Sequence, residues 1–487
     1  MHKNDRKSIR VLGVFDLAML LVVAIVNLNL VPAVAANGLN ALPMWVCAFF
    51  LFFLPQAIAV LELSSLYPGE GGVYLWSKIA FGDFHGFMSG WCYWLNNIAY
   101  IPTLLFYLTG FSLYIYSKEA SHWADNTFVM ACASLFLLWL IIGLNIIGMG
   151  VGKWVQNAGA LGTFVTVAII LVIAFIALFS NGSANAFEHF GFLSEDSGWR
   201  TASMLGLVCF AFVGLELGSV MGDEIKNPER NIPRAVVIAG ICSILLYMIC
   251  TFALQALIPV ADIEAISGLL QVTERIAAIV HMPEVIPPLA LMLSLSVLGA
   301  ACAWLAGSAR IPFVIGIDRY LPSAFGRTHR RYQTPHVALI TQGIASTVII
   351  LFNSIGSGAQ DVYLILLNTA VIIQLIPFLY IFATLIKVRR TANETSRSDR
   401  FFKRSWVCYL AGASGFTVTV MGLLLAFVPS DGVENVVSYE IKLLSGCVFF
   451  IAPALVLFQR QSQKIRESDI ASAPLTSTIQ KQESIGI

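Results

Sequence analysis

An acid inside an apolar stretch is the feature of this sequence that most needs a chemical explanation. Glu216 closes the run Phe210-Ala211-Phe212-Val213-Gly214-Leu215-Glu216, and apolar residues continue beyond it. A carboxylate surrounded by hydrocarbon is costly, so its presence marks a polar solute, an ion or a proton path. A second group lies nearer the N-terminus, where Asn27-Leu28-Asn29-Leu30-Val31-Pro32 interrupts an aliphatic run. Pro32 lacks a backbone donor and clashes with the preceding turn, and the asparagines bond to nearby backbone and stabilise a break. Gly214 gives the later run similar backbone freedom. A helix broken in this way bares N–H groups at one new end and C=O groups at the other. Their partial charges suit a carboxylate or an ammonium. Tyr93, Trp94, Asn96 and Asn97 are further polar candidates in an apolar stretch, with weaker ones at Tyr363, Asn368 and Gln374.

Membrane helices are the elements that must position these residues. Of 487 residues, 58% are hydrophobic and 12% charged, and mean hydropathy is +0.80. A soluble chain carries about twice that share of charge, so this one takes lipid as its solvent. About 20 apolar residues cross the hydrocarbon core. Twelve stretches qualify: spans 1 to 12 at 12–36, 42–66, 85–115, 127–148, 154–179, 201–222, 234–258, 285–309, 336–354, 361–386, 406–428 and 440–458. The expected fold class is an all-α polytopic membrane protein with 12 transmembrane helices. Ala33-Val34-Ala35 resembles a signal-peptidase site, but the apolar run before it is long and holds Asn27, Asn29 and Pro32, so span 1 reads as an uncleaved helix.

Charge supplies the topology. If both termini are cytoplasmic, every one of the 29 basic residues except Lys118, Arg200, Arg275 and Lys442 falls on the cytoplasmic side. One missed or invented helix would reverse every later loop and erase that bias. The expected organisation is a cytoplasmic tail at 1–10, one five-span repeat at 11–180 and a second at 201–386. A basic loop at 387–404, two further spans at 405–458 and a disordered polar tail at 459–487 complete it. The basic loop reads as a topology determinant facing anionic lipid.

Several functions are disfavoured. Net charge is +1, which gives no reason to expect nucleic acid. The nine cysteines lie in or beside apolar stretches without metal-ligand spacing, and no metal or cofactor is expected. His-Glu-x-x-His is absent, and Gly69-Glu70-Gly71-Gly72 lacks the lysine of a phosphate loop, so the chain does not read as an enzyme.

Spans 1 and 6, the two interrupted ones, hold corresponding places in two five-span halves. Paired broken segments point to a midplane solute site between inverted repeats. Three longer motifs then resemble the amino acid–polyamine–organocation superfamily over roughly residues 10–390. The most specific is Phe212-Val213-Gly214-Leu215-Glu216 with Glu224-Ile225-Lys226-Asn227-Pro228-Glu229-Arg230-Asn231-Ile232-Pro233-Arg234. Glu62 through Tyr74, continuing to Ala80-Phe81-Gly82-Asp83-Phe84, is similar to the family's connection between helices two and three. Gly307-Ser308-Ala309-Arg310 with Asp318-Arg319-Tyr320-Leu321-Pro322 is similar to the end of its helix eight.

The resemblance implies a LeuT-type five-plus-five inverted repeat with two extra helices, and a substrate held between helices 1, 3, 6, 8 and 10. The implied substrate set is Asn27, Leu28, Asn29, Leu30, Tyr93, Asn96, Asn97, Phe210, Val213, Gly214 and Cys302. The family's Gly-Ser-Gly stretch matches Asn27-Leu28-Asn29, so both glycines are replaced, which leaves room for amines or unusual acids. Phe210 matches an aromatic gate, and Glu216 an acid that serves as the proton-coupling candidate. Thr163 stands where some members carry a lysine, so that cation is missing. Thr163, Ser294 and Ser296 are the groups available to sodium, although such residues commonly serve packing. The implied activity is secondary transport of amino acids by alternating access, coupled to protons or to exchange. Polyamine or amine transport is the alternative within the fold, and a non-transporting receptor or scaffold the alternative outside it. Partners are a small solute, protons and membrane lipid, and the expected location is the cell membrane.

Overall fold

Apolar helices dominate the chain. The computed structural model describes residues 10–116, 123, 126–181, 204–263, 269, 273–275, 278, 283–355, 359–391, 400–428 and 436–472. Among the described residues, ten helices are long and apolar enough to cross a membrane. They are Val14–Ala35, Ala41–Leu66, Asp83–Tyr116, Thr127–Ile147, Met149–Phe179, Pro228–Leu257, Pro283–Ile317, Leu367–Thr391, Ser405–Leu425 and Val437–Ile465. Each falls on an expected span. Span 9 is the shorter apolar helix His336–Phe352. Span 6 is divided between Leu205–Ala211 and Leu217–Val220.

Some boundaries differ from the sequence reading. The helix of span 12 runs on to Ser472, through half of the expected polar tail. Gln, Lys, Arg and Glu are good helix formers, and extending an existing helix needs no new nucleus. The rest of that tail, 473–487, lies outside the described residues, as do 1–9 and the 392–399 part of the basic loop. Between spans 2 and 3 a further helix forms, Gly72–Phe81, after a turn at 69–71. It is fixed at one end of the bundle. Lys78 pairs with Asp318 at 2.7 Å and Asp83 at 3.4 Å, and the Tyr74 hydroxyl donates to Asp318 at 2.5 Å. Burial, then Asp318, pushes the Tyr74 phenol well above its ordinary range, so it remains a donor.

Close helix contacts rest on small residues, as expected where lipid provides no hydrophobic drive. Gly159 of span 5 faces Gly299 of span 8 so closely that a Cβ on Gly159 would lie 2.7 Å from the Gly299 Cα. Beside them Thr163 and Ser296 share a 2.6 Å hydrogen bond. The groups available to sodium in the sequence thus include two that bind each other across a packed interface. At the basic end of the bundle, Arg389 of span 10 and Glu62 of span 2 form a buried ion pair at 2.7 Å. Both clasp the backbone of Phe402 at the entry to span 11. Phe402 N–H donates to Glu62 Oε2 at 2.9 Å, and Arg389 Nη2 donates to the Phe402 carbonyl at 2.5 Å. Truncating one partner strands the other charge in a dry interior. Arg389→Ala should lower unfolding stability in detergent by about 3–5 kcal/mol, with Glu62→Leu/Arg389→Met recovering most of the loss.

Candidate functional site

Span 1 is helical from Val14 to Ile25. Val26 and Asn27 leave the helix, and the chain resumes with a tight turn at Leu28–Leu30 followed by Val31–Ala35. Pro32 sits in the first turn of this second half, where its missing N–H costs nothing. Span 6 unwinds from Phe212 to Glu216. Gly214 adopts φ +136°, and a Cβ there would lie 3.0 Å from Ile25 Cγ1 and 3.4 Å from the Ala24 carbonyl carbon. Glycine therefore lets the two breaks touch.

The freed backbone groups find specific partners. The Tyr247 hydroxyl on span 7 accepts from Asn27 N–H at 3.0 Å. It also faces the Ile25 carbonyl at 2.6 Å and the Ala211 carbonyl at 2.9 Å. A hydroxyl has one proton, so it donates to one of these carbonyls at a time. One atom thus spans both breaks. Trp304 Nε1 donates to the Ala24 carbonyl at 3.0 Å. The Asn27 side-chain amide turns back to the Ala24 and Ile25 carbonyls, 3.2 Å from each. The Ala24 and Ile25 carbonyls at the end of the first half-helix are thereby satisfied. The opposite end is positive: the first N–H groups of a helix have no partner within it, and here Leu28 and Asn29 supply them.

Glu216 lies against these breaks and is wholly buried. Its Oε2 accepts from Gln56 Nε2 at 2.8 Å and from Gly214 N–H at 3.0 Å. Its Oε1 accepts from the Tyr93 hydroxyl at 3.0 Å. These three donors are neutral.

The family model described as amino acid permease matches residues 12–453, which include both breaks and the buried acid. The chain belongs to the amino acid permease family. The permease is 28% identical over 451 residues to an uncharacterized transporter of Legionella pneumophila, covering 91% of this chain and 96% of that protein. It is 22% identical over 455 residues to a probable agmatine/putrescine antiporter of Lactococcus lactis, covering 91% of this chain and 93% of the relative. A glutamate/gamma-aminobutyrate antiporter of the same species is 23% identical over 463 residues, covering 93% of this chain and 90% of that relative.

Span 3 lines the breaks of the permease along one face. Tyr93 touches Glu216 at one end, and two turns later Tyr100 meets Phe210 edge to face, with ring centroids 5.1 Å apart. Asn96 and Asn97 lie between them on the helix. Both are buried, and Asn97 Nδ2 donates to the Tyr93 carbonyl at 3.0 Å. Oδ1 of Asn96, Asn97 and Asn27, Oε1 of Gln56 and Nδ2 of Asn29 are buried without a partner among the described residues. Each such group costs about 1–3 kcal/mol unless something outside the chain meets it. Leu28, Leu30 and Val213 are buried around the breaks and contribute backbone.

Other candidates go elsewhere. Cys302 is buried on span 8 and receives Asn145 Nδ2 of span 4 at 3.5 Å. Trp304, two residues on, points to nearly the opposite side of the helix and is the residue that reaches span 1. Asn368 donates to the Tyr439 hydroxyl of span 12 at 2.7 Å. Gln374 is buried, with neither amide atom partnered among the described residues, and the side chain of Tyr363 lies outside the described residues. Tyr247, Trp304 and Gln56 are missing from the sequence-derived set. Gln56, an amide in an apolar run, carried a readable signal. Tyr247 and Trp304 carried none, because such aromatics are ordinary in membrane helices.

Tyr247→Phe removes the bridging hydroxyl and keeps the ring that stacks on Trp45, centroids 4.1 Å apart. It should destabilise the protein by about 1–3 kcal/mol in detergent unfolding. An unchanged midpoint would show that the breaks do not need this hydroxyl.

Proposed function

We propose that the permease is a secondary transporter of amino acids or amines working by alternating access, coupled to protons or to solute exchange. The observation that carries this reading is the pair of helix breaks joined through Tyr247, with Glu216 and span 3 beside them. Bared backbone ends in a membrane interior need a polar occupant. A solute that favours one arrangement of the helices shifts the balance between the two access states. The basic face, which includes Arg389, Lys78 and Arg310, is placed in the cytoplasm by the positive-inside rule. Both termini are proposed to lie there.

The site chemistry favours the protonated amine end of the solute. Among the described residues, no lysine or arginine pairs with Glu216 or with the breaks. The unpartnered amide oxygens there accept, and Phe210 and Tyr100 offer aromatic faces to a cation. A carboxylate, where the solute has one, would meet the N–H groups of Leu28 and Asn29. The solutes in the names of the two antiporters, agmatine, putrescine, glutamate and gamma-aminobutyrate, all carry an amino group. That common feature matches the proposed ammonium subsite.

Counterflow in proteoliposomes with these four radiolabelled solutes tests the proposal. Accumulation of at least one is expected. A solute that raises thermal stability yet never accumulates would favour a receptor. Phe210→Ala should weaken solute binding about tenfold, the equivalent of 1.4 kcal/mol. Glu216→Gln should insert normally and abolish the dependence of uptake on pH. An unaltered pH response would remove Glu216 from proton coupling.

A further inference from the structure

A cavity of about 220 Å³ opens on the basic face of the permease. Its walls come from the end of span 2, including Ser64 and Ser65, and from the connection that follows. The second half of span 6, with Ser219 and Gly222, the start of span 7, with Glu229, and Arg10 complete it. Among the described residues, no lining residue comes from spans 3, 5, 8 or 10. It is therefore separate from the seam along which Tyr93 and Trp304 meet the broken helices, where a solute would pass.

The inner end of the cavity approaches Glu216. Ser219 is 4% exposed, lines the cavity and donates through Oγ to the Glu216 carbonyl at 2.6 Å. It is one helical turn, about 5 Å of rise, from the acid. Span 2 runs the same course. Gln56, which holds Glu216 Oε2, lies about two turns before Ser64. Gly72 packs directly against Ser219, so closely that a Cβ there would lie 2.6 Å from Ser219 Oγ. The groups facing Glu216 are Gln56 from span 2, Tyr93 from span 3 and Gly214 from its own segment. The charged groups lining the cavity are Arg10 and Glu229, and Arg310 of span 8 is engaged with Glu224 at 2.5 Å.

We infer that this cavity is a cytoplasmic proton-access route to Glu216, distinct from the solute path. Hydronium entering from the cytoplasm gives its proton to the carboxylate past Ser219, whose own hydroxyl proton is held by the Glu216 backbone carbonyl, leaving water and a neutral acid. The reverse transfer returns hydronium. Glu216 thus exchanges protons with one compartment while the solute seam is shut. The inference rests on the proposed role of Glu216 in proton coupling.

Infrared difference spectroscopy after a pH jump tests it on the full-length protein without a solute. The carboxylic acid band that disappears in Glu216→Gln reports the site. Filling the cavity by Ser64→Leu or Ser65→Leu should slow the appearance of that band about tenfold, with its final amplitude unchanged. In wild-type protein inserted in one orientation into vesicles, the band should follow the pH of the compartment on the basic face. Unchanged rates in both filled variants would overturn the route, as would a band that follows the opposite compartment. In those cases the role of Glu216 would survive. A band that persists in Glu216→Gln would overturn both. If neither filled variant folds, the sided measurement on wild-type protein decides.

Discussion

Hydrocarbon cannot hydrogen-bond, and that constraint governs how this protein is built. Each helix interruption in the membrane releases backbone donors and acceptors that must be met by protein or by a bound polar group. Spans 1 and 6 both break, and their breaks lie against each other through Gly214 and Ile25. Tyr247 joins them through one hydroxyl, and Trp304 and the side chain of Asn27 satisfy the carbonyls that remain. The arrangement is selective. The carbonyl end of the first half-helix is occupied by the chain, whereas the N–H end around Leu28 and Asn29 keeps its positive potential.

Around this centre the structure alternates fixed and loosely joined contacts. Spans 5 and 8 approach backbone to backbone at Gly159 and Gly299, a contact that tolerates no added side-chain atom. Spans 2, 10 and 11 are tied at one end by Glu62, Arg389 and the Phe402 backbone. The helix Gly72–Phe81 is anchored by Asp318 and lies close to span 6 where Gly72 meets Ser219 and Val220. Rigid groups joined at glycine are the kind of elements that rock as units during alternating access.

Glu216 is held by donors without net charge. A lysine or arginine beside it would pair with it and oppose any gain of a proton. Gln56, Tyr93 and Gly214 instead form hydrogen bonds, and among the described residues no cation pairs with the carboxylate. A proton or a protonated amine is the counter-charge that the proposed function assigns to this acid.

The sequence alone determined the membrane character, the positions of the long helices and the places where two of them break. These follow from local properties: apolar runs of sufficient length, and asparagine, glycine or proline interrupting them. The Glu216 carboxylate and the Asn96–Asn97 pair were legible for the same reason, since polar groups stand out against hydrocarbon. Tertiary structure alone decided which side chains close the breaks. Tyr247 lies 220 residues from Asn27 and Trp304 280 residues from Ala24, and nothing local distinguishes them from other buried aromatics. The extra helical turns to Ser472 and the side chosen by Cys302 were likewise beyond a residue-by-residue reading. The first depends on a helix already nucleated in the membrane, and the second on the rotation of span 8 against its neighbours.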